Sequence, residues 1–575
     1  MMAVSVAVLN VVCAWAVLAF LLTGVGLLIR RMIWGLARVQ VNHLVTPWLG
    51  WAATVAFLQI WHLILPVTSV SAVLFLIVGV TGLALHAKPV MRLWRSLFTP
   101  PFILIVSMLC VAVAMANVAT AQPVIYDSGL YHLNVVSWVS LFPVVPGLGL
   151  LHSRLAYNNA SLLFVALLDQ GVFDHKSHQI ANGILIFLML VRGMVGLSRV
   201  NATGQCGFSI KELFYGLSLA PVIVWAFNSG CLSSPTPDAP VFLLGLVLLG
   251  ELLGMVCRQG ETVPESELQA CVMTVGLLAS IGLVCKVSYV VPGFLAFAVS
   301  LIVARRQGLR DPICRKSMIW ILVLSSLILI PWAIRGVMLS GYPAYPLSLF
   351  SLPVEWRIPL ESLRRETEWI KCWARLPGSA PGDALGTWTW VWPWLMRLTR
   401  IHAVDVIMPL SVGLAGLVLA WRSSFLPRIA YWVLLIPLGT IVFCLATAPD
   451  PRFAGSAFWL IGLIGVTYAV TSTVGRMSPS ASGPILRLFL ILWSAILLAR
   501  DINAFEVLHP WKRDAGCART VPMKERVTRS GLTVYVPEKG DQCWDAPLPC
   551  TPYFDENLRL RVPGDLSKGF TVKPP

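Results

Sequence analysis

Apolar stretches of bilayer-crossing length, about 20 residues each, recur from the first residues of this chain to Arg500. Inside hydrocarbon a backbone must satisfy its own hydrogen bonds, which leaves helices and closed barrels. Runs this long read as helices. Composition agrees: hydrophobic residues are 57% of 575 and charged residues 12%, against about 25% charged in soluble domains. The mean hydropathy is +0.78. The expected class is therefore an all-α polytopic membrane protein.

Fourteen spans are expected, at roughly 4–29, 47–65, 68–86, 102–120, 179–198, 212–229, 239–257, 268–286, 289–304, 318–334, 403–421, 429–447, 453–473 and 484–500. Lys286 and Pro292 cut the eighth and ninth from one apolar run. The first run is too long for a cleavable signal peptide and lacks a basic leader, so it is expected to remain a span. Alternate loops collect basic residues: Arg30, Arg31 and Arg38; Lys88, Arg92 and Arg95; Arg199 and Lys211; Arg305 to Lys316; Arg422, Arg428 and Arg476. These loops are expected in the cytoplasm, which places both termini outside. The net charge of +16 suits this loop bias and lipid headgroups. No nucleic-acid partner is expected, because no basic cluster carries interleaved aromatics.

The expected division is N-terminal helices over 1–120, a first large external loop at 121–178 with interfacial helices, and central helices over 179–334. A second external loop at 335–402, C-terminal helices over 403–500 and an extracytoplasmic tail at 501–575 complete it. In the second loop, Trp369, Trp373, Trp388, Trp390, Trp392 and Trp394 accompany a charged helix near Glu361–Lys371. They suit an interfacial belt, or stacking on sugar faces. The tail has alternating stretches at Leu532–Val536 and Leu558–Val562, which read as strands of a small β-containing domain. Between them Cys543 and Cys550 can form a disulfide if the tail is oxidised. Cys517 is then left over, and Cys372 is a candidate fourth partner. A zinc site is the weaker alternative, since the tail has no histidine.

Chemistry concentrates on the external side. The first loop opens Val124-Ile-Tyr126-Asp127-Ser-Gly129-Leu-Tyr-His132. A carboxylate at a helix end beside the membrane boundary is well placed to be a tuned general base. Asp127 can equally be an N-cap. Leu130, Leu133, Trp138 and Leu141 suggest one face of an interfacial helix beyond it. His152, Arg154, Tyr157, Asn158 and Asn159 add a dense polar set. Asp238 returns a carboxylate to the same side, or caps the next helix after a Pro-rich turn. Lys286 lies near an outer helix end, as does Arg335 before Tyr342, and Asp450 and Arg452 share a short turn. An ionisable group at that depth suggests function, although snorkelling is open to a lysine. Two arginines and a lysine there suit a phosphate, Arg through its fork.

This ordered set resembles the membrane glycosyltransferases of the GT-C fold, over about 102–470. The Tyr126–His132 segment and Gly540–Tyr553 also look like a group of uncharacterised bacterial polytopic membrane proteins. The GT-C resemblance implies a sugar transferred from a polyprenyl-phosphate-linked donor to an acceptor hydroxyl on a glycan, lipid or protein. The setting would be the periplasmic or outer face of a bacterial inner membrane, with membrane lipids as partners. In that reading Asp127 is the base, with Asp238, His132 and Arg154 orienting substrate. Lys286, Arg335 or Arg452 would hold the phosphate, with Tyr126, His152, Asn158, Tyr342 and Asp450 lining the site. Inversion is the outcome the superfamily favours. Three spans more than that superfamily usually has precede the first loop. No Asp-x-Asp or Asp-Glu pair surrounds Asp127, so no cofactor is assigned and a divalent metal is not favoured. A lipid-linked glycan transporter or flippase shares the span count, but no internal repeat is found. A polymerase or ligase of undecaprenyl-diphosphate glycans shares the large late loop, but needs no acidic first loop.

Overall fold

A computed structural model of the chain describes residues 2–34, 43–97, 100–202, 209–256, 263–476, 493 and 520–572. In chain order the bundle comprises α1 (Ser5–Ile33), α2 (Thr46–His62), α3 (Ser69–Leu85), α4 (Phe102–Ala119), α5 (His178–Val200), α6 (Ile210–Asn228) and α7 (Asp238–Met255). It continues with α8 (Glu265–Cys285), α9 (Val287–Arg306), α10 (Asp311–Ser340), α11 (Ala403–Ser423), α12 (Arg428–Thr447) and α13 (Ala457–Val474). Eleven of these are long and apolar enough to cross a membrane. The other two, α2 and α3, have 17 residues each. The span expected at 484–500 lies outside the described residues, Trp493 excepted, as do Arg38 and Cys517.

The helices divide by what surrounds them. In α7, 89% of the central window is buried, against 28% in α4, α10 and α11. The outer helices turn Phe102, Phe294, Leu322, Leu419 and Val442 outward. So much exposed hydrocarbon would be an aggregation liability in water and is the lipid-facing surface of a membrane protein. Inside the bundle, small residues set the closest approach. Helices α11 and α13 cross where a Cβ on Gly465 would stand 2.1 Å from the Gly413 carbonyl oxygen. Without a hydrophobic force between helices in lipid, such backbone contact replaces large side-chain burial. Helix α10 stops at Gly341, whose φ of +83° lets its N–H reach the Val337 carbonyl at 2.8 Å.

The segments at 120–177, 229–237, 341–402, 448–456 and 520–572 gather at one end of the bundle. The Val124 and Ile125 amides donate to Ser234 Oγ at 3.1 and 3.2 Å. The Phe570 amide of the tail donates to the Pro146 carbonyl at 2.9 Å. Past Asp127 the chain forms a π turn, Ser128–His132, and then a helix, Leu133–Leu141. The expected interfacial face is not what forms here. Leu130, Leu133 and Trp138 are buried and only Leu141 is exposed, because the tail and the turns at 144–155 cover them. In the second loop the helices Leu360–Arg375 and Val391–Arg400 leave Trp369, Trp373, Trp388 and Trp392 exposed.

The tail contains β1 (Met523–Val527) paired antiparallel with β2 (Thr533–Pro537), and β3 (Leu558–Leu560) paired antiparallel with β4 (Phe570–Val572). The two stretches read as strands thus belong to different sheets, and Tyr535 of β2 makes one further bridge, to Cys550. Cys543 and Cys550 form a disulfide. Cys372 is free and buried, its thiol donating to the Ser379 carbonyl.

Candidate functional site

Four of the singled-out residues come from four separate helix ends and meet. Asp127 follows the loop after α4. Asp238 opens α7, Lys286 lies between α8 and α9, and Arg452 lies in the 3-10 turn Pro451–Ala454 between α12 and α13. Arg452 Nη2 donates to Asp127 Oδ2 at 3.0 Å, and its Nε lies 3.3 Å from Asp238 Oδ2. The other oxygen of Asp238 accepts from Lys286 Nζ. Asp127 Oδ1 is 3.5 Å from Arg154 Nη1, and Arg154 Nε is 3.4 Å from Glu366 Oε1.

The result is a chain of alternating charge: Lys286, Asp238, Arg452, Asp127, Arg154, Glu366. Burial works against the charge of Arg452, but Asp238 and Asp127 outweigh it and raise its pKa. For Arg154, burial is likewise outweighed, by Tyr157, Glu366 and Asp127.

Asp127 does not cap. Its side chain makes no capping hydrogen bond to the turn it precedes, and its carboxylate is spent on two guanidiniums. Asp450 is the residue that caps, its Oδ1 accepting from the Arg452 amide at 3.0 Å. It also lies 3.4 Å from Arg397 Nη2, so Asp450 aims Arg452 from behind. The Lys286 ammonium lies 4.8 Å from the centre of the Phe453 ring.

Lys286 and Arg452 also line a cleft between α7, α9, α12 and α13. Its walls are largely apolar, including Leu248, Pro292, Ile436 and Leu460. Two cations on a largely apolar cleft can take a phosphate.

Other expected site residues fall elsewhere. His132 is buried, neither ring nitrogen has a partner among the described residues, and burial lowers its pKa to about 4. His152 is lowered to about 3 by burial and by Arg154. Both are neutral at neutral pH. Arg335 does not join the charge chain. It is buried and donates to Asn158 Oδ1 at 2.6 Å. Tyr342 is buried and donates to the Ile358 carbonyl, a packing role away from the charges. Tyr126 reaches toward the tail, where its hydroxyl donates to Asp541 and its carbonyl accepts from Gln542 Nε2 at 2.7 Å. Trp544 of the disulfide loop lies on Gly129, where any Cβ would stand 2.5 Å from its ring, and its amide donates to the Gly129 carbonyl. The tail thus grips the chain on both sides of Asp127.

Glu366, which holds Arg154, Ser153 and Tyr157, was not singled out in the sequence. It lies inside the charged helix there, and burial alone distinguishes it from its neighbours. Among the described residues no group of three or more His, Cys, Asp or Glu could hold a metal ion.

Fold and site together define a polytopic helical membrane protein with an ion-paired site at one end of its bundle. The chain belongs to the family described as Domain of unknown function (DUF8201), whose pattern matches residues 8–459. That range includes all six charged residues of the site and excludes the tail. No curated protein matches the chain, and no solved structure does.

Proposed function

We propose that the protein is a membrane glycosyltransferase of the GT-C type, acting at the extracytoplasmic face of a bacterial inner membrane through fourteen spans. It would move a sugar from a polyprenyl-phosphate-linked donor to an acceptor hydroxyl. The observation that carries this reading is the placement of Arg452, which joins Asp127 to Asp238 and, with Lys286, lines the apolar cleft. A base and a phosphate-binding pair are thereby adjacent.

In this mechanism the donor chain occupies the cleft and its phosphate meets Lys286 and Arg452. Asp127 accepts the proton of the acceptor hydroxyl as that oxygen bonds to the anomeric carbon. The bond from that carbon to the phosphate oxygen breaks, and the oxygen keeps the electron pair. Lys286 and Arg452 stabilise the charge that develops there, usually the largest contribution to the rate. Arg154 holds Asp127 from the far side. The neutral His132 packs behind the site and takes no part in the proton transfer.

Reconstituted protein, supplied with a panel of radiolabelled polyprenyl-phosphate sugars, should release labelled sugar into acceptor or water. Asp127→Asn should lower that rate roughly 10²–10⁴-fold, the usual worth of a positioned base. Equal rates from the folded Asn variant and the native protein would remove Asp127 from the chemistry.

A further inference from the structure

A second, small cavity lies beside the charge chain, lined by His62, Tyr131, Arg154, Asn158 and Arg335 among apolar walls that include Trp138 and Leu163. Arg335 comes from α10 near its end and is only 3% exposed. Among the described residues no carboxylate pairs with it. Its Nη1 donates to Asn158 Oδ1, and its Nε lies 3.4 Å from His62 Nδ1. The opposite nitrogen of His62 faces the Phe142 carbonyl at 3.2 Å. A ring that accepts at Nδ1 and donates at Nε2 is neutral, so His62 supplies no countercharge.

Asn158 is likewise neutral and fully engaged, since its Nδ2 donates to the Trp332 carbonyl and its own carbonyl accepts from Trp332 Nε1. These contacts fix the guanidinium and leave its charge uncompensated. Burying a cation without an anion is costly, and the other buried cations in this region have carboxylates: Lys286 has Asp238, Arg154 has Asp127 and Glu366. Arg335 is built like them but lacks the acid.

We infer that Arg335 forms an oxyanion subsite, receiving a carboxylate or phosphate group carried by the acceptor. The inference rests on the transferase reading for the word acceptor. Arg154 lines the cavity and also pairs with Asp127, so an acceptor anchored at Arg335 would have its reacting hydroxyl one side chain from the base. The guanidinium fork suits either planar or tetrahedral oxyanions. The cavity is separate from the cleft at Lys286, so donor and acceptor anions would not compete.

The test uses the full-length protein in detergent, with thermal unfolding followed in sodium acetate, sodium phosphate or sodium chloride at equal ionic strength. Acetate or phosphate should raise the midpoint saturably above chloride, and the more effective of the two identifies the oxyanion. In a Lys286→Gln background, which removes a phosphate contact of the other cleft, Arg335→Gln should weaken the apparent affinity about tenfold or more, as expected for loss of a charged fork, while Arg365→Gln, at an exposed ion pair, should keep it. No saturable rise over chloride, or a rise that survives Arg335→Gln, would overturn the subsite. If Arg335→Gln does not fold, hydrogen exchange on the native protein decides. Added anion should protect 158–163 and 332–340, and protection confined to other segments would overturn the subsite. Neither readout needs sugar transfer, so failure here leaves the transferase reading intact, and failure of transfer leaves the anion site intact.

Discussion

Asp127 and Arg452 lie 325 positions apart in the chain and meet at 3.0 Å. Around that contact the guanidinium meets two carboxylates, Asp127 at Nη2 and Asp238 at Nε. A planar fork can serve both, and a point charge on a flexible stem cannot.

Arg452→Lys is therefore expected to keep the charge and lose the geometry. With a donor substrate established, kcat/KM should fall roughly 10²–10³-fold, the scale for removing one stabilising donor at a developing oxyanion. A rise in donor KM should accompany it, since the contact exists before and during reaction. Steady-state kinetics with varied donor measure both. A near-native kcat/KM in the lysine variant would show that the fork is unnecessary.

Lys286 and Asp238 should behave as a unit. Lys286→Met alone leaves a carboxylate short of a partner, and Asp238→Asn alone leaves an ammonium so. The double variant removes both and should be more stable than the sum of the single losses implies. A coupling of about 0.5–3 kcal/mol is expected for groups in one network. Unfolding midpoints of the four proteins in detergent measure it, and strict additivity would mean the pair is not coupled.

Stability should depend on pH through His132. Burial lowers its folded pKa to about 4, below the ordinary 6.5, so the unfolded chain binds the proton more readily. The associated stability is present above about 6.5 and is lost as pH falls toward about 4. His132→Phe should flatten the unfolding midpoint over that window, with His152 and other groups accounting for the remaining slope. An unchanged slope in the Phe variant would contradict a buried, neutral His132.

At the α11–α13 crossing, Gly465→Leu should cost about 1–3 kcal/mol or more from overpacking. A side chain there would enter the Gly413 backbone. Lower yield of folded protein and a lower unfolding midpoint are expected, while Gly455→Ala, with nothing within 4 Å of its Cβ, tests only backbone strain. Native behaviour of Gly465→Leu would rule out the close crossing.

Much of the site was legible because charge is rare in this chain. Where 12% of residues carry charge, an Asp, Lys or Arg at a helix end stands out, and Asp127, Asp238, Lys286 and Arg452 do meet. Arg335 gave the same signal and landed in a different cavity, since sequence shows depth and sidedness but not which helices adjoin. Glu366 was hidden by Glu361, Arg364, Arg365 and Glu368 on its own helix, where charge is ordinary and only burial is informative. For Asp127, sequence left capping and a general-base role open, and the side-chain direction excludes capping. The strands of the tail were visible by alternation, but their partners depend on contacts that periodicity does not encode. Span length had a similar limit at α2 and α3, whose helices end at 17 residues where the apolar runs continue into turns.

The grip of the tail on Tyr126 and Gly129 has a consequence for biosynthesis. Gln542 meets Tyr126 across 416 positions of sequence, so a ribosome making this protein must add all of those positions before the surroundings of Asp127 can close. Contacts of such long range form late and slowly. A nascent chain can hold its inserted helices and still lack the clasp around its carboxylate, which makes the segment around Gln542 and Trp544 a checkpoint between insertion and a finished site.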